Sequence, residues 1–317
     1  MKNKIPIFLI THDRPYLLPK VLDRLINFTN LDEFEIWILD NASKLSTKKI
    51  ISAYTEKYKF INVFTQEFNQ ISIIQNSIIG KLKRDLYIKL DDDILVTKNW
   101  HTNFINVFER NKKDISIGSV VIPINGFGWV PFLEIMKYKK EFQSTFSNIE
   151  LIKGCMEPAV WNNNEVCEFI WKKCIRLNQT AETFLDIQKN NYTDFVVPHR
   201  YSIGAIIFSH NFWEKMSGWK VYEEFDKQFK LFKILTKINN SISKIRNKKE
   251  QKRIPEIIRI LTNINVSALG VEEDHLFRYS IENGFKQYVT TEGIVYHFSF
   301  SPVEEYLMRK IFLDIEY

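Results

Sequence analysis

Apolar and polar positions fall in blocks along the first hundred residues. Residues 5–11, Ile-Pro-Ile-Phe-Leu-Ile-Thr, form one unbroken apolar run, the pattern of a strand covered on both faces. His12-Asp13-Arg14-Pro15 interrupts it, and Leu17, Leu18, Val21, Leu22 and Leu25 follow at helical spacing. The same order then repeats. Residues 34–39 end in Asp40-Asn41-Ala42-Ser43 before a helix through Ile50, Ile51 and Tyr54; residues 61–64 precede a helix over 72–82; residues 86–90 run directly into Asp91-Asp92-Asp93. Strands alternating with helices at this spacing predict an α/β fold with a parallel, doubly wound sheet. Ligands then belong at the carboxyl ends of the strands. Three polar clusters sit at that level: 11–14, 40–43 and 91–93.

The stretch 126–198 is rich in aromatics and weakly periodic, and no element is assigned to it from the sequence. Beyond it the pattern predicts a strand over 202–208, a helix over 211–216 closed by Gly218, and a basic amphipathic helix over 227–253. A helix over 271–283 stopped by Gly284, a strand over 288–298 and a terminal helix from Pro302 complete the chain.

Composition narrows the classes. With 317 residues and 45% hydrophobic content the chain buries a large core. No run approaches the roughly 20 apolar residues of a bilayer-spanning helix, and the apolar start is too short for a signal peptide, so the expected location is cytoplasmic. Cys155, Cys167 and Cys174 leave an odd thiol and lack a paired zinc spacing, which predicts reduced, structural cysteines. Ten Lys/Arg against one acid between Lys227 and Arg253 give that segment +9, leaving about −3 for the rest of a chain of net charge +6. A local basic stretch points to an anionic surface and argues against nucleic acid, for which no motif is present.

Several residues could carry chemistry. Three consecutive carboxylates at 91–93 repel one another unless a cation offsets them; they read as a Mg²⁺ or Mn²⁺ site completed by substrate phosphates, or as a solvated acidic turn. Asp40 could accept a hydrogen bond from a base N–H, or simply form a turn and helix cap. Glu272, Glu273 and Asp274 open a helix whose dipole favours acids there; a general base would come from Asp274, ahead of Glu273. His297 reads as a metal or phosphate ligand, or as a core histidine. His199 and Arg200 read as contacts to an anion or to solvent.

In order and spacing these clusters resemble the inverting family 2 glycosyltransferases, whose fold is called GT-A: a Rossmann-like, mostly parallel sheet flanked by helices. The matching residues are Thr11 to Pro15, Asp40 to Ser43, Asn69 to Asn76, Leu90 to Asp93, Gly204 through Gly218-Trp219, Glu273-Asp274 and His297. The resemblance implies that Thr11, Asp13, Arg14, Asp40, Asn69, Asp91 and Asp92 bind a nucleotide-sugar, with Asp40 at the base and Asp91 near the ribose and sugar. It further implies that Asp93, helped by His297, holds Mn²⁺ or Mg²⁺ on the diphosphate, and that Asp274 deprotonates the acceptor hydroxyl. Residues 1–125 would form the nucleotide-sugar-binding half. Residues 126–317 would form the acceptor half, with a helical insertion at about 227–265 and C-terminal helices. The implied donor is a UDP-hexose or UDP-N-acetylhexosamine. The implied acceptor is a glycan or lipid-linked glycan of bacterial capsule or lipopolysaccharide type, met at the inner face of the cytoplasmic membrane if the basic segment docks there; otherwise that segment packs on the domain.

Two departures stand out. Asn69-Gln70-Ile71 lacks the family's glycine and Gln75 replaces its usual arginine, for which Lys81 or Arg84 could compensate. Around Gly218 the G-G-F-D-E pattern is reduced to Ser217-Gly218-Trp219, with Glu223 and Glu224 further on. A nucleotidyltransferase would show a Gly-rich phosphate loop after the first strand, which His12-Asp13-Arg14-Pro15 is not. A non-catalytic module of the same fold is the other alternative, and the joint presence of Asp93 and Asp274 argues against it.

Overall fold

The computed structural model describes residues 3–67, 69–151, 159–221 and 271–317. Its strands are β1 (Ile5–Thr11), β2 (Phe34–Asn41), β3 (Asn62–Gln66), β4 (Leu86–Asp91), β5 (Ile94–Leu95), β6 (Ile115–Val121), β7 (Asp194–Val197), β8 (Ala205–Ser209), β9 (Lys286–Ile294) and β10 (Tyr296–His297). Eight form one sheet in the order β3-β2-β1-β4-β8-β6-β9-β7, and β5 pairs with β10 apart from it. The apolar runs read from the sequence become the buried strands: Ile7, Phe8 and Leu9 are fully enclosed, with Leu18, Leu22 and Leu25 of the Leu18–Phe28 helix packed in the same core.

β3, β2, β1 and β4 are parallel, as is the β6–β9 pair, whereas β8 runs antiparallel to β4 and β6, and β7 antiparallel to β9. Strands from both halves of the chain therefore build one sheet. The chain leaves β1 for β2 on one side while β4 lies on the other, so a crevice opens outside the carboxyl ends of β1 and β4.

The aromatic stretch resolves into short helices, Trp129–Ile135, Lys139–Thr145, Ala159–Asn162, Asn164–Lys172 and Leu177–Gln188, followed by edge strand β7. They escaped the periodicity for a physical reason. In Trp129–Ile135, five consecutive residues from Trp129 to Leu133 are buried, leaving no polar face to set a period. The strand expected from 202 pairs only from Ala205, which leaves 200–204 as a connecting strap along the end of β4.

Cys167 and Cys174 are buried free thiols, and burial pushes the Cys167 thiol up to about 12. Cys155, Glu223, Glu224, the basic segment 227–253 and the insertion to about 265 lie outside the described residues. No described helix is long and apolar enough to cross a membrane.

Candidate active site

Thr11, the last residue of β1, donates its hydroxyl to Asp92 at 2.7 Å, and the His12 backbone N–H donates to the same Oδ2 at 3.1 Å. These contacts turn the Asp92 side chain back beneath the β1 loop. Burial lifts the Asp92 carboxyl to about 7, although Arg14 nearby opposes the rise. Asp91 ends β4 with its Oδ1 2.6 Å from the Nζ of Lys89, two residues earlier and so on the same face of the strand. Burial raises Asp91 as well, against the pull of Lys89.

Asp93 points elsewhere. The β5–β10 pairing sets His297 opposite Ile94, and this brings the His297 Nε2 to 3.2 Å from the Asp93 Oδ2. The His297 Nδ1 lies 2.9 Å from the Ile124 carbonyl and must donate its proton there. That carbonyl belongs to the loop after β6, which folds so tightly that a Cβ on Gly128 would sit 2.1 Å from the Ile122 oxygen. Only glycine permits the approach. With Nδ1 engaged, Nε2 is the nitrogen left to bind a cation or to carry a second proton.

The Arg14 guanidinium also rests on Asp93, and reaches Asp92 at 3.6 Å and Glu304 of the Ser301–Lys310 helix at 3.5 Å. Burial would raise the Asp93 carboxyl, but His297 and Arg14 overcome it and hold the group well below the usual carboxylate range. Burial alone would lower the His297 imidazole; Asp93 reverses that and raises it.

The second polar level, at β2 and β3, is braced internally. Asp40 is buried and accepts from the Ser43 N–H at 2.9 Å, so the turn expected as its alternative role is formed. Asn41 donates to Asn69 at 2.6 Å and accepts from the Gln70 N–H at 2.9 Å, and Asn69 is thereby tied to the end of β2. Asp13, at φ 57°, accepts from the Lys44 N–H at 2.5 Å and pairs with the Lys44 ammonium at 3.0 Å. Asp13, Arg14, Tyr16, Lys44, Glu304 and Met308 face a cleft of about 270 Å³.

Lys81 and Arg84 do not compensate for the missing arginine. They lie at the end of the Ile71–Leu82 helix and just before β4, at the amino ends of the strands, where Arg84 pairs with Glu35 at 3.4 Å. Arg200 is likewise no free anion contact. Its Nε lies 3.5 Å from Glu273 and one terminal nitrogen donates to Asp274 at 3.1 Å. Glu273 also accepts from the Ile203 N–H at 3.2 Å, while the Asp274 side chain is half-exposed beside Arg200. Burial, then the charge of Glu272, lifts Glu273 to about 7.

Lys89, Glu304 and the Asn41–Asn69 brace were not singled out by the sequence reading. Lys89 carried a signal, as the one charge in an apolar strand and in step with Asp91. Glu304 and the amide brace meet their partners only through the fold.

Residues 7–158 match the family model described as glycosyl transferase family 2. The likeness to family 2 glycosyltransferases lies in that stretch, just under half of the chain. The α/β sheet of the whole chain, mostly parallel and flanked by helices, is the GT-A fold expected for that family. No curated protein matches the sequence closely enough to add to this. Among solved structures, the mannosyltransferase PcManGT of Pyrobaculum calidifontis, in complex with GDP-Man and Mn²⁺, is 10% identical over 69% of this chain and 48% of its own, with a TM-score of 0.42. GalNAc-T7 with UDP, GalNAc and Mn²⁺ is 12% identical over 94% of this chain and 44% of its own, at 0.49. S. aureus TarS 1-349 in complex with UDP is 16% identical over 38% and 36%, at 0.33. The chain spans less than half the length of each.

The residues that meet at Asp93 fit a divalent cation. The Asp93 Oδ1 is buried with no hydrogen-bond partner, and His297 presents Nε2 beside Oδ2 of the same carboxylate. Among the described residues no group of three or more His, Cys, Asp or Glu could hold a metal. Two protein ligands suit an ion that takes its remaining oxygens from substrate phosphates and water.

Buried Glu273 has a measurable consequence for stability. Its folded pKa lies near 7 against an ordinary 4.5, so in that interval the folded state holds a proton that the unfolded state has released. Stability must then fall as pH rises from about 5 to 8, by on the order of 2 kcal/mol from this group. Urea denaturation of wild type and Glu273→Gln across that range should show a shallower decline in the variant. Parallel declines would mean that Glu273 titrates normally in the folded protein.

Proposed function

We propose that this chain is an inverting, metal-assisted glycosyltransferase that moves a sugar from a nucleotide-sugar, a UDP-hexose or UDP-N-acetylhexosamine, to a hydroxyl of a glycan acceptor. The observation that carries the reading is the meeting of Asp93 and His297 at the crevice between β1 and β4, with one Asp93 oxygen left unpartnered. Residues 1–125 supply the donor side and 126–317 the acceptor side.

Asp93 and His297 would hold Mn²⁺ or Mg²⁺, which when bound supplies positive charge for the departing diphosphate. The chain's own residues do the rest. Thr11 and the His12 amide hold Asp92 beneath the nucleotide, and Asp13, Asp40 and Asn69 shape the pocket at the strand ends. Asp91 orients the ribose and the sugar. Arg14, gathered among Asp92, Asp93 and Glu304, is placed to follow the diphosphate charge.

Across the crevice Asp274 accepts the proton of the attacking hydroxyl as its oxygen approaches the anomeric carbon from the face opposite the leaving group, so the product is inverted. Asp274 suits this role better than Glu273, because it is half-exposed whereas Glu273 is committed to the Ile203 amide.

The test is incubation with a panel of UDP-, GDP-, CMP- and dTDP-sugars, with Mn²⁺ or with EDTA, and measurement of nucleotide release by background hydrolysis. Metal-dependent release from one UDP-sugar supports the reading. Absence of release and of nucleotide binding would leave a non-catalytic module on the same fold.

The acceptor class we infer is a bacterial capsule or lipopolysaccharide glycan reached at the inner face of the membrane, and the +9 charge of 227–253 supports it. Wild type should sediment with anionic vesicles and a Lys/Arg-to-Gln variant of that segment should not. Equal sedimentation would remove the membrane contact.

A further inference from the structure

Lys89 is 1% exposed in the middle of an apolar strand, a costly place for an ammonium group unless its charge is answered. Two partners answer it: the Asp91 carboxylate at 2.6 Å and the Ile203 carbonyl at 2.7 Å. The Ile203 N–H is held in turn by Glu273 at 3.2 Å, so the backbone groups of this residue are clamped from two sides. The next residue, Gly204, accepts from the Asp91 N–H at 2.8 Å, and a Cβ there would lie 3.3 Å from the Asp91 Oδ2. Arg200, three residues before Ile203, binds Glu273 and Asp274. The strap 200–204 is thus tied on one side to the carboxylate that ends β4 and on the other to the helix that carries Asp274.

We propose that Lys89 is a positioning residue that, through the Ile203 backbone, fixes the Asp91 carboxylate and the Asp274 helix at a set separation across the crevice. The proposal rests on the functional reading above for what the two carboxylates do, while the tie itself is a statement about structure alone. In-line attack needs donor and base in register, and a misplacement of about 1 Å costs about 100-fold in rate. One buried ammonium facing both sides holds that register without touching either substrate.

The test compares wild type with Lys89→Met, which keeps the length of the side chain without its charge or donors. Hydrogen exchange of the peptide covering 199–204 should quicken by about tenfold or more in the variant, while β8 remains protected. In the nucleotide-release assay, kcat should fall about 100-fold, while UDP binding by calorimetry should keep its dependence on Mn²⁺, since the Asp93–His297 pair is untouched.

Asp91 is left buried without its cation in that variant, so the double variant Lys89→Met/Asp91→Asn is measured by exchange alongside it. If Lys89 only neutralises Asp91, exchange at 199–204 returns to the wild-type rate in the double variant and the tie is refuted; if it stays fast, the tie through Ile203 stands. An unchanged kcat in Lys89→Met would also overturn the proposal. A wild type that binds neither UDP nor GDP with Mn²⁺ would overturn the transferase reading instead, and the exchange data would still decide the tie.

Discussion

Asp93→Ala should lower metal-dependent release of nucleotide from the preferred donor by about 1,000-fold or more, because charge stabilisation of the leaving diphosphate by a metal amounts to several kcal/mol. The variant removes the carboxylate that His297 and Arg14 share, so release in Mn²⁺ should drop to the level seen in EDTA. Folding should survive, since Arg14 keeps Asp92 and Glu304 as partners. Circular dichroism and the melting temperature check this separately. Retained metal-dependent release by a folded Asp93→Ala would place the cation elsewhere.

Asp274→Asn should lower kcat for transfer to the acceptor by about 1,000-fold, within the usual range for loss of a positioned general base. Its signature is the division between substrates. Asp274 is half-exposed beside Arg200 and makes no contact with Asp93 or His297, so UDP·Mn²⁺ affinity should be unchanged while transfer collapses. Asparagine keeps the shape and an acceptor for Arg200, so the helix stays in place. If Glu273→Gln, and not Asp274→Asn, abolished transfer at unchanged donor affinity, the roles of the two acids would be reversed.

How far the sequence disclosed these arrangements depends on distance along the chain. β1, β2 and β4 are legible because each is a continuous apolar run ending in polar residues, which is what burial on both faces followed by a ligand-facing loop demands. The Asp91–Asp93 cluster is legible because three adjacent carboxylates at a strand end are expensive without a purpose. Asp91 turns to Lys89, two residues back on the same strand and in step with it, but where the other two point is not legible: Asp92 turns to Thr11 and Asp93 to His297, partners selected by β1–β4 and β5–β10 pairing between residues distant along the chain. The same holds for Arg200, whose two carboxylates come from a helix that begins at Val271. Short, thoroughly buried helices such as Trp129–Ile135 leave no periodic trace at all.

The claim on which the account turns is that Asp93 and His297 bind a divalent cation together with a nucleoside diphosphate. Calorimetric titration of UDP and of GDP into the protein, with Mn²⁺ and with EDTA, for wild type and Asp93→Ala, measures it directly. Binding of one nucleotide in Mn²⁺, weakened by about 10-fold or more both in EDTA and in the variant, is the predicted result. Binding that is indifferent to Mn²⁺ and to Asp93, or no binding of either nucleotide, would contradict it.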